Sequence, residues 1–235
     1  MSEGILQINE LNGWYKKGSN VLSGLSLELQ KNEIVGLIGL NGAGKTTLIK
    51  ILSGLLDSYN ADRISFDKKP VTFRDGKFKT MRYTVFSEDS SFGYFTFREY
   101  LSYVFSAYGK KLPDVSELVK GFNFEKYENK LLKDLSMGNR RKVNLITAFA
   151  LKTPLLLLDE PVNGLDFQST EFLYSLISGY KEYGTLLFSS HVLESITLTS
   201  DRVMVLENGN ISHVFTGDEI TAESVRKVLR LDNVI

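Results

Sequence analysis

The spacing of apolar residues changes character along this chain, and each change predicts a different element. Around residues 6–8 and 26–29 apolar and polar side chains alternate, flanked by turn-rich stretches such as Lys17-Gly18-Ser19-Asn20. That is the signature of half-buried antiparallel strands, which would form a side sheet. Ile34-Val35-Gly36-Leu37-Ile38 is instead a near-continuous apolar run, as expected of a strand buried on both faces. A glycine-rich loop follows, and then Thr47, Leu48, Ile51, Leu52 and Leu55 recur at helical spacing. Three- and four-residue steps over 98–108, 115–121 and 139–151 predict a helical middle. Beyond it, strands at 155–158, 185–189 and 203–206 alternate with helices at 167–180 and 193–198, the mark of an α/β fold with a mostly parallel sheet. Asn208-Gly209, set between two apolar runs, predicts a two-residue hairpin.

Composition narrows the class. Lys plus Arg and Asp plus Glu both number 28, so there is no net charge and none of the basic footprint of a nucleic-acid binder; no nucleic-acid partner is expected. Cysteine is absent, which excludes disulfides, thiol catalysis and thiolate metal sites. The two histidines, His191 and His213, cannot build a multi-histidine centre. The N-terminus lacks the apolar core of a secretory signal, and no apolar stretch approaches the roughly 18 residues of a membrane span, so a cytoplasmic location is expected. Without repeats or a Pro/Gly/Ser linker, residues 1–235 read as one domain.

Two motifs carry chemistry. Gly39-Leu40-Asn41-Gly42-Ala43-Gly44-Lys45-Thr46 fits G-x-x-x-x-G-K-[ST] between a buried strand and an amphipathic helix, the context the motif requires. Its backbone N–H groups would close around phosphate oxygens, the helix N-terminus would add partial positive charge, Lys45 would reach the β- and γ-phosphates, and Thr46 would ligate Mg²⁺. The second motif, Leu155-Leu156-Leu157-Leu158-Asp159-Glu160-Pro161, places two carboxylates at the end of a buried strand, where open α/β sheets bind ligands. Asp159 would hold Mg²⁺ through water. Glu160 would polarise the attacking water, since phosphoryl transfer chiefly needs an oriented nucleophile and neutralised charge.

Leu135-Ser136-Met137-Gly138-Asn139-Arg140-Arg141-Lys142 resembles the signature motif of the ATP-binding-cassette (ABC) family, usually LSGGQ followed by basic residues. The resemblance continues through Asp159-Glu160, Asn163-Gly164-Leu165-Asp166 as the D-loop and Ser189-Ser190-His191 as the switch histidine, and spans roughly residues 6–217. It implies a P-loop NTPase core with an antiparallel side sheet and a helical subdomain at about residues 96–133. It implies ATP and Mg²⁺ as cofactors, bound by Gly39, Asn41, Gly42, Ala43, Gly44, Lys45, Thr46 and Thr47. Ser136 and Gly138 would face the γ-phosphate of an opposite subunit. His191 would contact the γ-phosphate beside the attacking water, and Tyr15, with Trp14 as its competitor, would stack on adenine. One phosphate loop and one signature per chain imply a head-to-tail pair of two chains, either two copies or a copy and a paralogue. The implied function is the ATPase subunit of an ABC transporter, peripheral on the cytoplasmic face of the cell membrane and driving a separate transmembrane permease. The rival readings are a soluble ABC-type ATPase of iron–sulfur cluster assembly, or one serving nucleic-acid repair or translation.

Departures from the family pattern are few. Met137 and Asn139 replace a glycine and the glutamine of the signature, and Leu40 replaces a common proline. Phe86-Ser87-Glu88-Asp89 stands where the family's glutamine loop falls and contains no glutamine. Ungapped counting puts Ser87 at that position, whereas Mg²⁺ chemistry favours Glu88. Just beyond, the segment from Ser91 to Phe97 carries Phe92, Tyr94, Phe95 and Phe97. Those rings either pack in the helical core or line a groove for a permease helix.

Overall fold

The first thirty residues begin the side sheet. β1 (Gly4–Lys16) and β2 (Ser19–Gln30) pair antiparallel, burying Leu6, Ile8 and Leu11 against Leu22, Leu25, Leu27 and Leu29. Both strands run well past the stretches of clean alternation. The register slips between Ile8 and Leu11, where Glu10 takes a positive φ of 53°, so the inward-facing parity switches and the simple period is lost while the strand continues. The computed structural model describes residues 4–87 and 91–229; Glu88, and with it the preferred glutamine-loop candidate, lies outside them.

β3 (Ile34–Ile38) enters the main sheet and leads through the glycine-rich loop into α1 (Lys45–Ser53). The chain then returns to the side sheet, with β4 (Tyr59–Asn60) and β5 (Arg63–Phe66) on β1 and β6 (Lys69–Pro70) on β5. α2 (Gly76–Met81), capped by the Asp75 carboxylate on Lys77 N and Phe78 N, runs directly into β7 (Arg82–Val85). The helical stretch follows as α3 (Phe97–Ala107), opened by a Thr96/Glu99 capping box, then α4 (Ser116–Gly121) and α5 (Met137–Leu151), capped by Ser136. β8 (Leu155–Asp159), α6 (Phe167–Gly179), β9 (Thr185–Ser190), α7 (Leu193–Thr199), β10 (Arg202–Glu207), β11 (Asn210–Thr216) and α8 (Ala222–Val228) complete the order.

The main sheet has the order β11-β10-β3-β9-β8-β7 and is parallel except for the β10–β11 hairpin. Its apolar runs divide residue by residue between two cores. Val35, Leu37, Leu155, Leu157 and Leu187 face the side sheet and α1, whereas Ile34, Ile38, Leu156, Leu158 and Phe188 face the helical layer. A strand covered on both sides must be apolar at every position, and each fully buried leucine contributes about 1.5–3 kcal/mol. Parallel pairing also aligns strand ends: Ile38 lies beside Ser190, and Asp159 beside Ser189. The segments leaving β3, β8 and β9 therefore emerge together at one edge. A second tie reaches the same place from the hairpin turn, where Gly209 N donates to Ala43 O (3.2 Å) and Gly209 O accepts from Ser23 N (3.1 Å).

Candidate active site at the carboxyl edge of the sheet

The glycine-rich loop turns into α1 through Gly44, whose φ of 112° is open to glycine and where a Cβ would lie 2.7 Å from Leu22 Cδ2. This turn aims the first N–H groups of the helix into a cavity of about 520 Å³, lined by residues 41–47 together with Val21, Glu160, Asn163 and His191. Such a cradle of N–H groups at a positive helix end suits phosphate. Lys45 is buried and folds its Nζ back over the loop, 2.7 Å from Gly39 O and 3.9 Å from Glu160 Oε1.

Beside it, Thr46 Oγ1 donates to the Asp159 carboxylate, 3.0 Å from Oδ2, and Ser189 Oγ donates to Asp159 Oδ1 at 2.8 Å. Thr46 and Asp159 thus present two hard oxygen groups side by side, a donor chemistry that fits Mg²⁺. With Ser87 they also border a second cavity, of about 830 Å³, between α1, β7 and α3.

Glu160 is the most constrained residue of the site. It leaves β8 with a positive φ of 50°, an uncommon conformation for a residue with a side chain. Each of its polar groups has a partner from elsewhere in the chain. Its N–H donates to Ser189 Oγ (2.9 Å), its Oε2 accepts from His191 N (3.2 Å) and lies 2.7 Å from His191 Nδ1, and its carbonyl accepts from Arg141. Arg141 comes from α5 and is buried. Its guanidinium also reaches Asp159 O (3.4 Å) and Ser87 O, and burial lowers its pKa against the opposing charges of Asp159 and Glu160.

Ser136 and Gly138 do not line the cavity that holds Lys45 and Glu160. Ser136 is exposed and accepts from Asn139 N at 3.3 Å as the cap of α5, and Met137 next to it is 61% exposed. A Cβ on Gly138 would collide with the carbonyl oxygen of Gly164, so only glycine lets α5 begin this close to the loop after β8. Two residues on, Asp166 caps α6 at Ser169 N (2.9 Å) and pairs with the buried Lys142 at 2.5 Å. Burial raises the Asp166 pKa, but the Lys142 and Ser169 hydrogen bonds outweigh it and bring the value down to about 2. Tyr15 lies apart from the phosphate cradle, exposed, with Lys50 Nζ 5.7 Å from its ring centre; Trp14 is half-buried and also outside the cradle's lining.

The aromatic segment divides between its two expected fates. Phe97 is fully buried against Phe124, and Phe92 and Phe95 stack with Tyr103. Tyr94 is 78% exposed, with Lys133 Nζ 4.2 Å from its ring centre. Sequence reasoning gave no role to Arg141, Ser189 or Val21. The first two lie inside the quoted signature and switch segments, but the part each plays comes from tertiary contact that no local pattern marks, and Val21 lies in no motif at all.

A parallel sheet with a phosphate-loop turn after β3, and carboxylates at the end of β8 two places along, defines a nucleotide-binding P-loop protein. The family model described as ABC transporter matches residues 22–163. The chain is 36% identical to the putative ABC transporter ATP-binding protein AlbC of Bacillus subtilis, over 92% of this chain and 94% of that one. It is 30% identical to the energy-coupling factor transporter ATP-binding protein EcfA2 of Clostridium perfringens, over 100% of this chain and 86% of that one. A solved structure of an ATP-binding subunit of an ABC transporter superposes with a TM-score of 0.82 at 27% identity, covering 98% and 95% of the two chains. The chain belongs to the ABC transporter family, as an ATP-binding and ATP-hydrolysing subunit.

Proposed function

We propose that this chain binds Mg-ATP on residues 39–47 and hydrolyses it at Glu160 within a head-to-tail pair of subunits, energising a separate membrane-spanning permease from the cytoplasmic face. The observation that carries this reading is the meeting of Lys45, the Thr46–Asp159 pair and the Glu160–His191 pair at one sheet edge.

Lys45 would neutralise the β- and γ-phosphates, and Gly39, Asn41, Gly42, Ala43, Gly44 and Thr47 shape the loop whose N–H groups cradle them. Thr46 and Asp159 would hold Mg²⁺, which when bound spreads the charge developing on phosphate oxygens. Glu160 is the base that orients and deprotonates water, and His191, hydrogen-bonded to it, fixes the carboxylate and senses the γ-phosphate. Ser136, exposed at the start of α5, and the half-buried Gly138 would complete the site of a second subunit, and Tyr15 would supply the π face for adenine. The glutamine-loop role would fall to Glu88, which lies outside the described residues, or to Ser87, which borders the same cavity as Thr46 and Asp159. None of the helices among the described residues is long and apolar enough to cross a membrane. The cavity between α1, β7 and α3, floored by Phe86, Tyr100 and Tyr108 and adjoining Asp159, suits a short permease helix.

Glu160→Gln keeps shape and hydrogen bonding but removes the base, so ATP should bind and remain. Size-exclusion chromatography with Mg-ATP should show the variant as a dimer and the parent mostly as a monomer. A variant that stays monomeric at saturating ATP, or hydrolyses at the parental rate, would end this reading.

A further inference from the structure

The buried guanidinium of Arg141 does not line the phosphate cradle, yet it bridges three points along the edge of the site. Its partners are three backbone carbonyls, those of Asp159, Glu160 and Ser87, rather than a carboxylate. Those carbonyls lie at or just beyond the ends of two adjacent parallel strands, β7 and β8, whereas Arg141 itself rides on α5, little more than one turn beyond Ser136. A planar fork with five donors is the side chain that can span such a set; an ammonium cannot.

Glu160 depends on that fork. Its positive φ is a conformation that persists only when surrounding bonds over-determine it. Ser189 holds the peptide from the N–H side and His191 holds the carboxylate. The Glu160 carbonyl accepts from Asn163 N (3.2 Å), three residues on in the same loop, and from Arg141, the partner that comes from the helical layer and so ties the orientation of the base to the position of α5. Hydrogen bonds weaken steeply once the donor angle falls below about 120°. A small shift of α5 therefore removes the one hold on the Glu160 carbonyl that comes from the helical layer and leaves the peptide to Asn163 and Ser189.

We propose that Arg141 is a positioning residue that couples the helix carrying the signature serine to the catalytic carboxylate, so that Glu160 is aligned for hydrolysis only when Ser136 is engaged and α5 is held in place. This rests on the roles given above to Ser136 and Glu160. Engagement of the signature by one nucleotide would then be felt, through a single side chain, at the base serving another.

The test compares Arg141→Met and Arg141→Lys with the parent and with Glu160→Gln, measuring ATP turnover, equilibrium binding of a fluorescent ATP analogue and thermal unfolding. Misplacement of a catalytic group by about 1 Å costs on the order of 100-fold in rate. Arg141→Met should lose turnover on that scale while the nucleotide dissociation constant stays within about threefold. Arg141→Lys, which keeps the charge and one carbonyl contact, should recover part of the turnover, and it decides the matter if the methionine variant does not fold. A purely structural role would lower binding, turnover and unfolding temperature together and overturn the proposal, as would parental turnover in a folded variant. Ser136→Ala supplies the coupling readout: it should slow the parent but add nothing in the Arg141→Lys background beyond the loss already present, and fully multiplicative losses would refute the link. Parental hydrolysis by Glu160→Gln would instead remove the catalytic reading and the proposal with it, whereas its loss alongside an active Arg141→Met removes the proposal alone.

Discussion

Lys45 and Ser136 both stand at the start of a helix, yet Lys45 is buried among groups of its own chain and Ser136 is exposed with only its own helix for company. Around Lys45, loop carbonyls, the Thr46–Asp159 pair and the Glu160–His191 pair satisfy one another within a single subunit. Around Ser136, the contacts run backwards into the fold through Gly138 and Gly164, and the outward face is left to Ser136 and Met137. Damage to the first region should therefore appear in every monomer. Damage to the second should appear only on assembly.

The largest effect is expected at the self-contained end. Lys45→Ala removes a charge-assisted contact of about 1.5–3 kcal/mol, equivalent to roughly 10–150-fold weaker nucleotide binding. Calorimetric titration of monomer with Mg-ATP checks this, and an unchanged affinity would break the comparison at its root. Ser136→Arg should behave oppositely. Its monomer should bind ATP at parental affinity, while in the Glu160→Gln background the ATP-dependent dimer disappears from size-exclusion profiles; a surviving dimer would mean that the exposed cap faces no partner.

The smallest effect concerns the support behind the outward face. Asp166→Asn keeps a capping oxygen for α6 but leaves Lys142 as a buried cation without its counter-charge, a loss of about 1–3 kcal/mol once the exposure of Asp166 to water is discounted. Because the folded Asp166 pKa, about 2, lies below its unfolded value of about 3.9, this contribution is fully present above about pH 4 and is lost as pH falls through 2. The gap in unfolding temperature between parent and variant should shrink from pH 5 to pH 2. A gap independent of pH would assign the effect to the cap instead.

How much of this was legible in the sequence depended on the range over which each feature is encoded. The phosphate loop, the Asp159-Glu160 strand end and the Asn208-Gly209 turn are contiguous, because strand, turn and helix chemistry act within a few residues, and each stands where its pattern placed it. β4 and β6 are two residues long, and β5 and β7 four, too short to establish a period. α2 escaped notice because its one buried side chain, Phe78, gives no amphipathic repeat, although Asp75 ahead of it was a readable cap. In the site, Arg141 looked like one more basic residue after a signature, and only the packing of α5 against the ends of β7 and β8 turns it inward. Tyr94 and Phe97, three positions apart, shared one aromatic run and met opposite environments, since α3 begins between an exposed turn and the core.

The turn at Asn208-Gly209 has a consequence for how this chain can vary. A hairpin tip is ordinarily where a protein tolerates added length, because its backbone faces water. Here both backbone groups of Gly209 are spent as a brace, one on the phosphate loop at Ala43 and one on the side sheet at Ser23. The tip has no slack to give. Insertions, tags and new epitopes that would normally gather at such a turn are displaced elsewhere on the surface, and a two-residue loop more than 150 positions along the chain becomes as intolerant of change in length as the glycine-rich loop it supports.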